Sequence, residues 1–322
     1  MSKILFIADP HLNYQTPQSR KDIYPQTMLE KIKTIARIAD EQKIDDVIFL
    51  GDMFHQRYQP YSYMMKCFLA FKEFKKPPYS IVGNHDLIYE RLESLDESPL
   101  NFLFMTGVVK HLDTLEYDDV VIKGFDYTSP ITKNENTNYT ICVAHQYYNT
   151  PLYKYYIKPE DALNLNYQAY VLGHDHTVYD DISNDKFKVI RPGSLSRGTA
   201  HSANLMRDVY GVVFDTVTKT FTRITIPTQK ASDVFKEIKY VEKSLETSVD
   251  EIIDKMDFSQ NETIYDILDS LEYVPNNVIN LIVRYLENNG IYRKSVNHSE
   301  VSETSEKLVE TGGESVWIKY LV

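Results

Sequence analysis

The chain is 322 residues long, 43% apolar and 25% charged, which exceeds what one hydrophobic core usually organises and predicts two domains with the larger first. A formal net charge of −11 excludes a protein that coats nucleic acid by bulk electrostatics, since that mode needs a basic surface, but it does not exclude an enzyme whose acidic residues are metal ligands. No apolar run reaches the roughly 18 residues of a membrane helix, and Met1-Ser2-Lys3 leads into ILFIAD with no signal-peptide pattern, so a cytoplasmic protein without a membrane partner is expected.

A strand-like run opens the chain at 3–8. An apolar stripe of Met28, Ile32, Ile35, Ile38 and Ala39 then predicts a helix, followed by a strand at 46–50. A second helical stripe, Met64, Cys67, Phe68 and Phe71, precedes a strand at 79–82. Further strand-like runs lie at 120–125, 140–144, 169–172, 187–191, 209–214 and 220–226. Alternating strands and helices giving way to strands indicate an α/β fold with mixed sheets. The two cysteines, Cys67 and Cys142, fall in separate apolar stretches, as buried free thiols of a reducing compartment would.

Near Pro227 the strand-rich pattern stops, so the domain boundary is placed there, giving 1–227 and a smaller C-terminal domain of 228–322. The latter carries two helical patterns, Ile264 to Leu271 and Val278 to Leu286, separated by Pro275. A polar stretch and a strand-like SVWIKYLV complete it.

The residues able to bind metal fall in five short clusters, nearly all just after strand-like runs, where open α/β sheets place their sites. They are Asp9 and His11, Asp52, Asn84, His145, and the pair His174 and His176. Asp9 and His11 are two apart at a strand end, and a period of two would turn both to one side. Asp52 is the acid of its cluster, and one carboxylate can bridge two ions about 3.5–4 Å apart. Oxygen and nitrogen donors without thiolate suit Mn²⁺, with Fe²⁺, Mg²⁺ or Zn²⁺ as alternatives. Two such ions make hydroxide available near neutral pH and bind non-bridging phosphate oxygens. His85, beside Asn84, is placed to assist the leaving oxygen, and Asp86 is expected to hold its ring.

These residues carry a resemblance. Asp9-Pro10-His11, Gly51-Asp52, Gly83-Asn84-His85-Asp86 and Gly173-His174-Asp175-His176 together resemble the signature of the calcineurin-like metallophosphoesterases. Within them, DPHLNY with Arg20 and Asp22, GDMFH with His55 as an extra histidine, VAHQ, and IRPGSLSR are similar to elements of the DNA-repair nuclease branch, SbcD and its meiotic-recombination-eleven relatives. The resemblance spans residues 1–227. It implies a β-sandwich of mixed sheets flanked by helices, with a smaller α+β domain after it.

It also implies one metal held by Asp9, His11, Asp52 and His176 and another by Asp52, Asn84, His145 and His174. His85 is then catalytic, and His55 lies close to the metals. The implied partners are DNA, a second copy of the chain and an SbcC-type coiled-coil ATPase. The dimer contact would fall on helices of the first domain, for which a second apolar face through Tyr63, Phe74 or nearby residues is a candidate. The C-terminal domain would cap DNA, dock the ATPase, or both. Arg197 is read either as a phosphate ligand or as the partner of a surface acid. Asn13 stands where the family often has Gly. The modest size suits a bacteriophage version.

The competing enzymatic reading is a phosphatase or a cyclic-nucleotide phosphodiesterase. GDMFH and GNHD depart from the GDxVDRG and GNHE of the superfamily's protein phosphatases. The competing non-enzymatic reading is a scaffold for the ATPase on DNA, which would not need the full set of ligands.

Overall fold

The computed structural model describes residues 2–150, 155–199, 204 and 207–236, together with the backbone of 309–311 and 314–316. Two six-stranded mixed sheets dominate it. The first runs in the order β14 (Thr220–Thr225), β13 (Tyr210–Asp215), β1 (Lys3–Ile7), β2 (Asp46–Phe49), β3 (Tyr79–Ser80), β4 (Lys110–His111). Strands β1 to β4 pair in parallel, and β13 joins antiparallel to β1 with Lys3 opposite Asp215. The second sheet runs β11 (Ile182–Ser183), β12 (Lys188–Ile190), β10 (Ala169–Gly173), β7 (Tyr139–His145), β6 (Val120–Phe125), β5 (Thr114–Tyr117), with parallel pairing from β12 to β6. Short strands β8 (Tyr147–Tyr148) and β9 (Tyr156–Ile157) pair beside it, and β15 (Val309–Thr311) and β16 (Glu314–Val316) pair as a separate hairpin.

Alternation along the strands explains how the sheets stack. Ile4 and Phe6 of β1 join Ile48, Ile122, Ile141, Val143, Val171 and Phe214 in one fully buried cluster drawn from both sheets, which is the sandwich interior. Each such side chain contributes about 1.5–3 kcal/mol by leaving water. The alternate residues Leu5, Ile7, Val47 and Phe49 pack with helix α1 (Tyr24–Glu41), α2 (Tyr61–Phe71) and α3 (Pro99–Met105). On the opposite sheet Cys142, Ala144, Tyr170 and Leu172 pack with Ala162 of α4 (Pro159–Leu165). Both cysteines are free and buried.

Helix α1 starts with Pro25 in its first turn and buries Met28, Ile32 and Ile35 at helical spacing. It stops at Lys43, whose left-handed φ of 55° lets Ile44 N–H reach the Ala39 carbonyl at 2.8 Å. In α2 the expected stripe is core, but Tyr63 and Phe74 are buried in that same core. The reading of those two residues as a second, dimer-forming face is therefore corrected. No helix among the described residues is long and apolar enough to cross a membrane.

The chain divides into two compact units, Met1–Pro275 and Asn276–Val322. The expected tail helices at 264–271 and 278–286 lie outside the described residues. Past Pro227 the described chain turns back onto the sandwich: Lys21 N–H donates to Val234 O at 2.8 Å and Lys236 N–H to Ser19 O at 3.0 Å, and Phe235 bridges Arg20.

Candidate metal centre

Every expected ligand lies at or just beyond the carboxyl end of a strand, and the stacking of the two sheets brings these ends together. Loops after β1, β2 and β3 supply Asp9, His11, Asp52 and Asn84; the ends of β7 and β10 supply His145, His174 and His176. The ligand atoms of His11, Asp52 and His176 lie within 4.8 Å of one another, and so do those of Asp52, His145 and His174. Asp52 belongs to both groups. Asn84 Oδ1 lies 3.1 Å from His145 Nε2, which adds the amide to the second group.

Asp9 and His11 do not converge by strand alternation. Both lie beyond β1 in the left-handed region, at φ 47° and 45°, with Pro10 between them, and Asp52 and His174 share that conformation at 48° and 82°. Each such residue costs on the order of 1–3 kcal/mol. Loop-to-loop bonds offset the strain: His11 N–H donates to Asp52 O and Leu12 N–H to Met53 O, both at 2.9 Å, and Leu195 N–H donates to Ala8 O at 2.7 Å. Ser194 Oγ–H reaches the Asp9 carbonyl at 2.9 Å, and Tyr24 Oη–H the His11 carbonyl at 3.0 Å. Two glycines permit the crowding. A Cβ on Gly83 would sit 2.1 Å from Asp52 Oδ1, and one on Gly51, itself at φ 87°, would sit 2.6 Å from His145 Nδ1.

The donor set fits cations. The Asp9 carboxylate is fully buried, and its Oδ2 has no hydrogen-bond partner among the described residues, while Oδ1 accepts from His174 N–H at 3.0 Å. His11 and His176 bring Nε2 to Nε2 at 2.8 Å, and Asp52 Oδ2 lies 3.5 Å from His11 Nε2 and 3.3 Å from His145 Nε2. The His145 ring is oriented by its Nδ1–H, which donates to Leu50 O at 2.7 Å and leaves Nε2 for a ligand bond. Without cations, burial and the neighbouring Asp52 charge raise Asp9 to about 7 against the opposing pull of His145. His145 rises to about 9, because the Asp52 and Asp9 charges outweigh its burial. Asp52 stays well below the carboxylate range despite burial, chiefly through His145. Two carboxylates and several imidazoles held this close, with an unpaired Asp9 oxygen, form a donor set that divalent ions would compensate.

His85 Nδ1–H donates to the His55 carbonyl at 3.0 Å, and the two rings stack at 5.3 Å. His55 is exposed, and both rings stand edge-on to His11, at 4.9 Å for His85 and 5.4 Å for His55. The expected Asp86–His85 pair does not form. Asp86 is fully buried and accepts from three backbone N–H groups, Met53 at 3.2 Å, Phe54 at 3.1 Å and Gly83 at 3.0 Å, clamping the Asp52 loop to the Asn84 loop. Burial and the Asp52 charge raise it to about 7 even so.

Arg20 forms a two-pronged pair with Asp22, 2.7 Å at each prong, and donates to Arg197 O at 2.6 Å. Arg197 is buried against Phe235 and donates to Gln229 O, so neither a phosphate fork nor a surface ion pair describes it. Asn13 is buried, and its Oδ1 accepts from Gln15 N–H at 3.3 Å. Of the histidines outside the motifs, His111 pairs with Asp126 at 2.9 Å, and His201 and His298 lie outside the described residues.

Sequence reasoning missed Tyr127 and Tyr147. Tyr147 packs on the His174 ring at 4.3 Å, and Tyr127 stands 6.0 Å from His145 and 5.6 Å from His174. Their signal was available, because both follow carboxyl ends of strands, as the ligands do. Lys31 and Arg207, whose donors hold the carbonyls of Leu195, Ser194 and Ser196 behind Asp9, carry no such signal.

The sequence model of the calcineurin-like phosphoesterase family matches residues 2–178. The chain belongs to this family, a class of metal-dependent phosphoester hydrolases with a dinuclear divalent metal centre, and the two ligand groups sharing Asp52 agree with that class. Among solved structures it is similar to TT1561 of Thermus thermophilus and to a dimetal phosphatase from Danio rerio. Each is 11% identical with a TM-score of 0.44, over 70% of this chain and 99% of the other. Vps29 of Chaetomium thermophilum aligns over 70% of this chain and 96% of its own at 10% identity and a TM-score of 0.34. No curated protein matches.

Proposed function

We propose that the chain is a two-metal DNA nuclease, with Asp9, His11, Asp52 and His176 holding one cation and Asp52, Asn84, His145 and His174 the other. Mn²⁺ suits these donors best. When bound, such ions make hydroxide available near neutral pH and neutralise the non-bridging phosphate oxygens. The chain's own part is to orient and to move a proton. With its Nδ1–H committed to the His55 carbonyl, a protonated His85 has Nε2–H to give to the leaving oxygen. His55, stacked on that ring, keeps it upright beside the cradle. Asp86 acts one step back, holding together the two loops that carry Asp52, Asn84 and His85.

The observation that carries the DNA reading over the phosphatase reading is this His55–His85 pair, built from the GDMFH element that resembles the nuclease branch. The same reading brings an SbcC-type ATPase, a homodimer, and a capping or docking role for 228–322 as proposals. A phosphatase or cyclic-nucleotide phosphodiesterase is compatible with the same ligands. The test is hydrolysis in Mn²⁺ of labelled duplex, hairpin and single-stranded DNA beside a phosphomonoester and a cyclic nucleotide, with and without the ATPase and ATP. Cleavage of DNA supports the proposal. Turnover of the small esters with all DNA left intact would replace it by the alternative.

A further inference from the structure

The turn that follows His85 has an unusual composition. Ile88 and Arg91 form an antiparallel bridge with Arg91 N–H donating to Ile88 O at 3.1 Å, and the residues between them, Tyr89 and Glu90, sit at φ 52° and 55°. Two-residue turns of this hand favour Asn-Gly or Asp-Gly, because a larger side chain at positive φ is strained. Glu90 is tied back, accepting from Tyr127 Oη–H at 3.3 Å. Tyr89 is instead 77% exposed, and the Arg57 guanidinium lies 5.7 Å from its ring centre. Tyr58, next in the chain to Arg57, is 70% exposed. The two loops are joined at their roots by the His85 Nδ1–H bond to His55 O at 3.0 Å. Two exposed aromatic rings and a guanidinium therefore lie on the two loops that carry His55 and His85, in a protein of net charge −11.

We infer that Tyr89 and Tyr58, with the Arg57 guanidinium against the Tyr89 ring, form a stacking subsite for unpaired bases of the strand whose phosphate lies at His85. This rests on the nuclease reading above. Every base offers a π-face to a tyrosine ring, so such a subsite is tolerant of sequence, and an adjacent guanidinium neutralises a backbone phosphate. It grips a single strand locally, without requiring a broadly basic surface. A duplex, whose bases are already stacked, would engage it only where its ends fray.

The test compares an oligodeoxythymidine with an abasic oligomer of equal length as substrates of the full chain in Mn²⁺. Bis(p-nitrophenyl) phosphate reports on the cradle alone. The wild type should show a KM for the abasic oligomer about ten-fold or more above that for oligodeoxythymidine. Tyr89→Gly, which relieves the strained φ, should raise the KM for oligodeoxythymidine by a similar factor without changing that for the abasic oligomer, and Tyr89→Phe should restore it. Equal KM values for the two oligomers in the wild type, or a Tyr89→Gly enzyme that keeps the wild-type KM, would overturn the subsite while leaving the nuclease reading intact. Turnover of the small diester with neither oligomer cleaved would overturn both. The wild-type comparison decides the matter even if the variant fails to fold.

Discussion

The two sheets contribute to the centre in different ways. The first supplies both carboxylates and the amide on loops that are strained and heavily braced: Asp9, His11 and Asp52 are all left-handed, and Asp86 cross-links two of the loops. The second supplies only imidazoles, with His174 alone of its three ligands in a left-handed conformation and His145 held by burial and one carbonyl bond. Both carboxylates are thus on one sheet, and the other offers imidazoles alone. Each ligand group is complete only when the two carboxyl edges are in register.

If the catalytic work belongs to the first sheet's loops, the largest effect should come from His85. On the proposed role, in which His85 moves a proton and holds no ion, His85→Ala should lower hydrolysis by about 10²–10⁴-fold with metal content unchanged. Metal analysis of the same sample checks the separation, and activity within a few-fold of wild type would remove His85 from the role.

Bracing is tested next. Asp86→Ala orphans three buried N–H groups and should cost about 2–4 kcal/mol in chemical denaturation. A loss below about 0.5 kcal/mol would mean the first sheet's loops stand without their clamp.

The smallest effect belongs to the bridge between sheets beside the centre. There His111 of β4 pairs with Asp126, whose Oδ1 also accepts from Val82 N–H at 2.8 Å. The hydrogen bond to Asp126 raises the His111 pKa above its ordinary value. A raised histidine stabilises the fold below its unfolded pKa and loses that contribution as pH rises through the folded one. His111→Ala should therefore lower Tm modestly at about pH 5–6 and hardly at about pH 9. A deficit that is the same at both would make the contact one of packing alone.

Much of this was legible in the sequence because apolar periodicity and chemistry coincide at strand ends. The nine expected strands all form, and the seven ligand positions come together. What stayed hidden depends on tertiary context. Nothing in DPH says that Asp9 and His11 leave the strand conformation, since neither is the Gly or Asn that usually announces positive φ. Asp86 beside His85 reads as an acid–imidazole pair, but its carboxylate satisfies N–H groups from a loop more than thirty residues away. Arg197 reads as a phosphate ligand or the partner of a surface acid and is instead buried against Phe235, a residue beyond the expected domain boundary. Strands β4 and β5 escape notice because they are mostly exposed, so they lack the apolar alternation of the central strands.

Metal stoichiometry tests the central claim, that one carboxylate of the first sheet completes both ligand groups. Mn²⁺ bound per chain, measured by equilibrium dialysis at saturating metal, should be two for the wild type, one for His176→Ala, which removes a ligand of one group only, and none for Asp52→Ala. A wild type that binds one ion, or an Asp52→Ala chain that retains two, would contradict the shared-bridge account.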